Sequence, residues 1–189
     1  DGLGLRPNIG IRGTGLERME KLNVMEDGII IAPAPYASPA AYYSPTMGRM
    51  QGLEIRKGST QIKHGPFTTG GSLNYISTAI PSSSLNSVDF MAASFGKTVL
   101  HIKSGNTMGQ WGYLLEVYND MTDGFKELDG GGNTGYTKTD VMAKVRYAMN
   151  VNHAVEMKFS ITDEISDETY LGLSDEDYAI NPLRRYRAS

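Results

Sequence analysis

Residues capable of chemistry are few and scattered in this 189-residue chain. The three histidines, His64, His101 and His153, lie far apart on different predicted elements, a spacing that makes no metal site. Cysteine is absent, which excludes a disulfide frame and a thiolate metal centre. Glu26 and Asp27 are adjacent carboxylates, but neighbours on a hairpin point apart and form no acid–base pair. Ser82, Ser83 and Ser84 have no nucleophile-elbow context. Gly10-Ile11-Arg12-Gly13-Thr14-Gly15 lacks the following Gly-Lys-Ser/Thr of a phosphate cradle, and no βαβ unit surrounds it. No enzymatic constellation emerges. What remains is charge recognition. Arg184, Arg185 and Arg187 cluster in one late segment, and guanidinium groups bind carboxylates in two-pronged geometry. The cluster suits an anionic partner and equally an ordinary basic loop patch.

The elements that position these groups read as β-structure. Glycine is abundant (22 residues) and tyrosine outnumbers phenylalanine (11 against 5), a profile of turns and strands rather than helices. Net charge is −3, so no global basic field points to nucleic acid. No run of about 18 apolar residues predicts a membrane helix, although a β-barrel would leave none because its faces alternate. The chain starts without Met and stops just past a charged cluster, so it reads as a fragment.

Residues 9–13 read as a short strand with Ile9 and Ile11 on one face, closed by glycine. Residues 23–31 read as strand, tight turn, strand, with Asp27-Gly28 as the hairpin signal. Segment 32–45 holds four of the eight prolines and three tyrosines; proline removes backbone donors, so this is an ordered loop. Residues 46–50 suit a short helix. Segment 53–78 is a glycine-punctuated pair of strands. Past the linker at 81–86 the texture changes to five alternating strands, at 87–96, 98–104, 110–119, 137–148 and 153–162. Trp111, Tyr113, Leu115 and Val117 share one face of the third; Asp140, Met142, Lys144 and Arg146 share the charged face of the fourth. Their connections alternate mostly short and long, and residues 163–189 read as a long acidic-then-basic loop. Strands of about 9–11 residues fit a tilted membrane crossing, and the same pattern fits a soluble antiparallel sheet with one face in water.

Five motifs in the first half, in order over some 70 residues, resemble the plug domain of TonB-dependent outer-membrane receptors. They are Ile9-Gly10-Ile11-Arg12-Gly13, Val24-Met25-Glu26-Asp27-Gly28-Ile29, Met50-Gln51-Gly52-Leu53-Glu54-Ile55-Arg56-Lys57-Gly58, His64-Gly65-Pro66 and Gly70-Gly71-Ser72-Leu73-Asn74-Tyr75-Ile76-Ser77-Thr78. His64 stands where the family usually has Tyr. Lys57 intervenes between Arg56 and Gly58, where the family's Arg normally adjoins the Gly, so Lys57 is an alternative equivalent. The proline–tyrosine loop and the late segment with Gly172, Leu173, Ser174, Asp177, Tyr178 and Pro182 are similar to the ferric-citrate type.

The resemblance implies the fold and function. A small α/β plug domain (residues 1–80) and a linker (81–86) precede the first five strands and third extracellular loop (87–189) of a 22-stranded antiparallel transmembrane β-barrel. The intact protein would reside in the bacterial outer membrane. There it would bind a ferric chelate, ferric citrate or a siderophore, and import it with energy delivered through the TonB complex. The TonB contact box would precede residue 1. Iron would arrive already chelated, so no resident cofactor or protein metal ligand is expected, and the protein is not expected to be an enzyme. Arg12 and Arg56 match arginines that lock plug to barrel by pairing with glutamates beyond residue 189; the alternative is solvated surface arginines. An unpaired cation inside a barrel would be costly, so each needs a carboxylate. Pro35, Tyr36, Tyr42 and Tyr43 form a candidate ligand-facing apex, or else pack the plug against the wall. Arg184, Arg185 and Arg187 become candidate ligand contacts, or contacts to lipid and lipopolysaccharide. Gly13, Gly28, Gly58, Gly65, Gly70 and Gly71 carry backbone roles. The rivals are a soluble secreted β-rich binding module and a receptor of the same family for cobalamin or an oligosaccharide.

Overall fold

A computed structural model describes residues 3–16, 19, 21–31, 43–58, 64, 69–167 and 171–187. The chain divides into two compact units, Asp1–Thr78 and Ala79–Ser189, each with its own sheet. It is mainly β.

In the first unit β1 (Leu22–Glu26) and β2 (Ile29–Ile30) form a hairpin. β1 also runs parallel to β4 (Gly71–Ser77), and β4 pairs antiparallel with β3 (Met50–Arg56), giving the order β2-β1-β4-β3. β1 lies inside the sheet and is buried at all five positions. Leu22, Val24, Leu73 and Tyr75 make the core with Met19, and Ile9, Ile11, Ile31 and Met50 pack around it. The hairpin turn has Asp27 at φ 51° and Gly28 at φ 81°, the paired left-handed conformations of a type I′ turn. The Asp27 carboxylate accepts from the Ser77 amide at 2.9 Å and its hydroxyl at 2.5 Å, and Asn74 Oδ1 accepts from the Gly28 amide at 2.8 Å. The turn is thereby fastened to β4, some 50 residues away in sequence.

Two expectations change here. Residues 9–13 are not a strand. Arg12 at φ 58° and Gly13 at φ 75° form a turn closed by Thr14, whose hydroxyl accepts from the Ile11 amide at 3.1 Å and donates to its carbonyl at 2.9 Å. A side chain that satisfies local backbone groups competes with strand pairing. The helix near residue 46 is a single 3-10 turn, Met47–Arg49.

The second unit holds a five-stranded antiparallel meander. Its order is β10 (His153–Ser166), β9 (Tyr136–Asn150), β7 (Trp111–Thr122), β6 (Thr98–Met108) and β5 (Leu85–Ala92). Four of these, β6, β7, β9 and β10, run longer than the alternation suggested. Pairing is continuous from Trp111↔Tyr147 to Thr122↔Tyr136, and from Ala154↔Ala148 to Ser166↔Tyr136. Backbone ladders extend as long as both partners remain extended, even where hydrophobic alternation has stopped. The late loop is also structured. It contains α1 (Asp175–Ile180), capped by Ser174, and β11 (Arg184–Arg185), which pairs in parallel with β8 (Glu127–Leu128).

Candidate functional site

The meander has two unlike faces. One carries Val88, Phe90, Ile102, Trp111, Tyr113, Leu115, Val141, Val145, Met157, Phe159 and Ile161, and all are exposed; Phe90 is 69% and Ile161 76% accessible. Trp111 and Tyr147 stack at 4.6 Å between ring centres at the end near the short turn. Toward the other end, Asn119 and Thr139 satisfy each other at 2.9 Å. From Trp111 to Met121 is ten residue steps, about 34 Å along the strand or roughly 25 Å in height at a 40° tilt, the height of a barrel's lipid-facing band.

The opposite face is charged and buried. Glu116 and Asp140 are fully inaccessible, and Lys138 and Lys144 nearly so. His101 Nε2 lies 2.6 Å from Glu116 Oε1, Lys138 lies 2.9 Å from Glu164, and Thr162 donates to Asp140 at 3.0 Å. Lys97 pairs with Asp120 and donates to the Tyr136 hydroxyl at 2.6 Å. Burying charges requires partners, and these rows supply them. The entering chain crosses this face: Thr107 donates to the Pro81 carbonyl at 2.7 Å. A Cβ at Gly105 would sit 2.8 Å from Pro81, and one at Gly112 2.9 Å from Ile80. Those two glycines act by close approach and escaped the sequence reading, because a strand glycine announces no partner.

Beyond the strands, the two long loops are clasped together. Arg184 forms a two-pronged pair with Asp129 at 2.9 and 3.0 Å, and its Nη1 reaches Asp177 at 2.6 Å. Its guanidinium also lies 5.1 Å from the Tyr186 ring centre. The Tyr186 hydroxyl donates to Asp177, and that bond is the chief cause holding the Asp177 carboxyl below its usual value. The Asp129 pairing raises the Arg184 guanidinium. Arg187 donates to the carbonyls of Asp129, at 2.7 Å, and Gly131. Asn181 donates to Glu127 at 2.7 Å. The three arginines that the sequence grouped together are thus separated in role: Arg184 and Arg187 bind this chain's own groups, and Arg185 is half-buried on β11.

In the first unit Arg12 is exposed on its turn. Arg56 ends β3, with Nη2 3.5 Å from Glu54 and both side chains partly in solvent. The Asn74 amide donates to Glu54 at 3.2 Å and is the main reason that carboxyl is held below its usual value. A stronger pair was missed: Arg49 lies 2.9 Å from Glu26, both side chains almost wholly buried. Nothing in a Met-Gly-Arg-Met stretch marks its cation as internal. Gly70 is a close-approach site, its Cβ position 2.9 Å from Leu22 and 3.0 Å from the Lys21 carbonyl. Gly28 and Gly58 have positive φ. Tyr43 borders the proline-rich loop; Pro35, Tyr36, Tyr42 and Gly65 lie outside the described residues.

Solved structures share this fold. The ferric citrate transporter FecA in its unliganded form superposes with a TM-score of 0.78 at 22% identity, over 96% of this chain and 28% of the transporter. The pyoverdine outer membrane receptor FpvA from Pseudomonas aeruginosa PAO1, bound to pyoverdine, gives 0.62 at 15% identity, over 75% of this chain and 20% of that one. The siderophore receptor PirA from Acinetobacter baumannii gives 0.60 at 16%, over 82% and 25%. The fold is that of the TonB-dependent outer-membrane receptors. No family model matches the chain. The chain spans about a quarter of the length of these receptors, between 20% and 28%. These neighbours are transporters and receptors rather than enzymes.

Proposed function

We propose that this chain is the plug and the opening five strands of a 22-stranded outer-membrane receptor that imports a ferric chelate, ferric citrate or a siderophore, with energy from TonB. The observation that carries this reading is the inversion of the meander: apolar and aromatic side chains outward, charged pairs inward. A soluble secreted module would place the apolar face on a core and the charges in water. A closed barrel in lipid needs the reverse.

In this reading the loops and the plug apex, with Pro35, Tyr36, Tyr42 and Tyr43, meet the chelate from outside. Arg12 and Arg56 lock the plug to glutamates of the barrel wall. Support comes from their placement: Arg12 is exposed on a turn, and among the described residues Arg56 makes a long, solvent-screened contact to Glu54, so either can change partners cheaply. Chelated iron is cargo and asks for no protein ligand. Outer-membrane lipid and lipopolysaccharide border the apolar band.

The test is uptake of radiolabelled ferric citrate and ferric siderophores by cells expressing the intact receptor, with and without functional TonB. TonB-dependent accumulation of iron is expected. Uptake of cobalamin or an oligosaccharide instead would move the cargo, and recovery of the intact protein as a water-soluble monomer would overturn the membrane reading.

A further inference from the structure

We propose that Gly105, Thr107 and Gly112 form a seat on β6 and β7 that grips Ile80 and Pro81 as a mechanical stop. Tension arriving along the chain from the first unit ends there and does not reach β5. The use of such a stop rests on the receptor reading above, in which energy from TonB reaches the chain as a pull on its N-terminal side. The seat itself does not.

β6 and β7 pair Gly105↔Leu114 and Thr107↔Gly112, so these four residues share one face of the sheet. Leu114 is buried, and the two glycines beside it leave a recess where side chains would stand. Pro81 fills one half of it. Its Cδ and Cγ lie 2.8 and 2.9 Å from the Cβ position of Gly105. Ile80 fills the other, with Cγ2 2.9 Å from the Cβ position of Gly112. Thr107 closes the seat by donating its hydroxyl to the Pro81 carbonyl at 2.7 Å. Glycine inside a strand weakens it, and close approach of another backbone accounts for the two placed here.

The gripped segment is stiff, since proline fixes its own φ and holds the residue before it extended. Past the seat the chain is bare, with Ser82, Ser83 and Ser84 exposed. It then turns back to the same strand residue, because Leu85, the first of β5, pairs with Gly105. Without the seat, a pull would fall on the Leu85 end of β5 and open its ladder one rung at a time. With the seat, the pull must draw a proline ring and an isoleucine out of close packing and break the Thr107 bond together.

The experiment draws the intact receptor, embedded in a bilayer, by its N-terminal end in a single-molecule force trace. Wild type is expected to yield chain up to residue 79 and then hold until a separate, higher-force step. Pro81→Gly, a linker change that leaves the sheet residues intact, and Thr107→Val should both lose that step. Release should then run on through residues 80–92, about 44 Å of extra chain at roughly 3.4 Å per residue. Thr107→Ser, which keeps the hydroxyl, should restore the step. Ser83→Gly, in the same linker but off the seat, should leave the trace as in wild type. Without force, amides at the Leu85 end of β5 should exchange on the order of tenfold faster in Pro81→Gly. A wild-type trace that runs past residue 80 with no separate step overturns the stop. So does one in which Pro81→Gly and Thr107→Val hold as firmly as wild type. A receptor that holds at residue 79 yet takes up no ferric chelate sinks the cargo reading and leaves the stop standing.

Discussion

The two sheets of this chain handle burial in opposite senses. In the first unit, β1 and β4 turn Leu22, Val24, Leu73 and Tyr75 into a closed core, and a deeply buried cation, Arg49, is paired with Glu26. In the second, Phe90, Trp111, Leu115, Phe159 and Ile161 stand exposed while Glu116, Asp140, Lys138 and Lys144 are buried. The same alternating backbone serves both. What differs is the solvent each face is built for, and a charge therefore has opposite value in the two places. Inside it is tolerated in pairs; on the outer face of the meander, in the receptor reading proposed above, it would meet lipid without a partner.

Mutations can break this contrast. The largest effect is expected from Arg49→Ala, which leaves Glu26 as an uncompensated buried charge. It should destabilise the first unit by about 3–5 kcal/mol, read as lost hydrogen-exchange protection in β1 and β4. Replacing both partners with apolar residues should recover most of that loss. Next is Leu115→Arg, midway along the apolar band. Lipid should make it cost about 2–4 kcal/mol, measured by refolding titration into bilayers. If the face were wet, the same change would move stability by no more than about 0.5 kcal/mol, so this variant decides which solvent the face meets.

Smaller effects belong to the loop clasp. Asp129→Asn removes half of a two-pronged pair whose side chains are over a third exposed, so the expected cost is under about 1 kcal/mol. It should appear as faster proteolysis of the loops with the strands unchanged. The pH dependence has a definite sign. Because the folded Asp177 carboxyl lies below its usual value, its contribution is present above that value, near 3.8, and fades as pH falls through the lower folded one. Exchange protection in residues 171–187 should therefore hold from neutral pH to about pH 4 and drop only in stronger acid.

Much of this was legible in the residues. Period-two alternation located all five strands of the meander, since it is a local signal. Asp27-Gly28 marked a turn for the same reason. The strand expected at residues 9–13 failed because Thr14 closes a turn that hydrophobic spacing cannot reveal. The strand ends were also missed, as β10 continues to Ser166 on backbone pairing after its apolar alternation fades. The basic cluster was visible, but its division was not. Arg184 meets Asp129 across 55 residues, and no spacing rule connects them.

By itself the sequence determined the alternation, the turns and hence two chemically distinct faces on every long strand. Those features come from interactions between neighbours along the chain, and neighbours are what a sequence displays. Only the tertiary structure decided which face is buried and which cations are paired with which carboxylates. Each of those depends on a partner brought near by folding, as Glu26 is to Arg49 and Asp129 to Arg184. Charge type can be read one residue at a time, but the cost of a charge depends on what surrounds it.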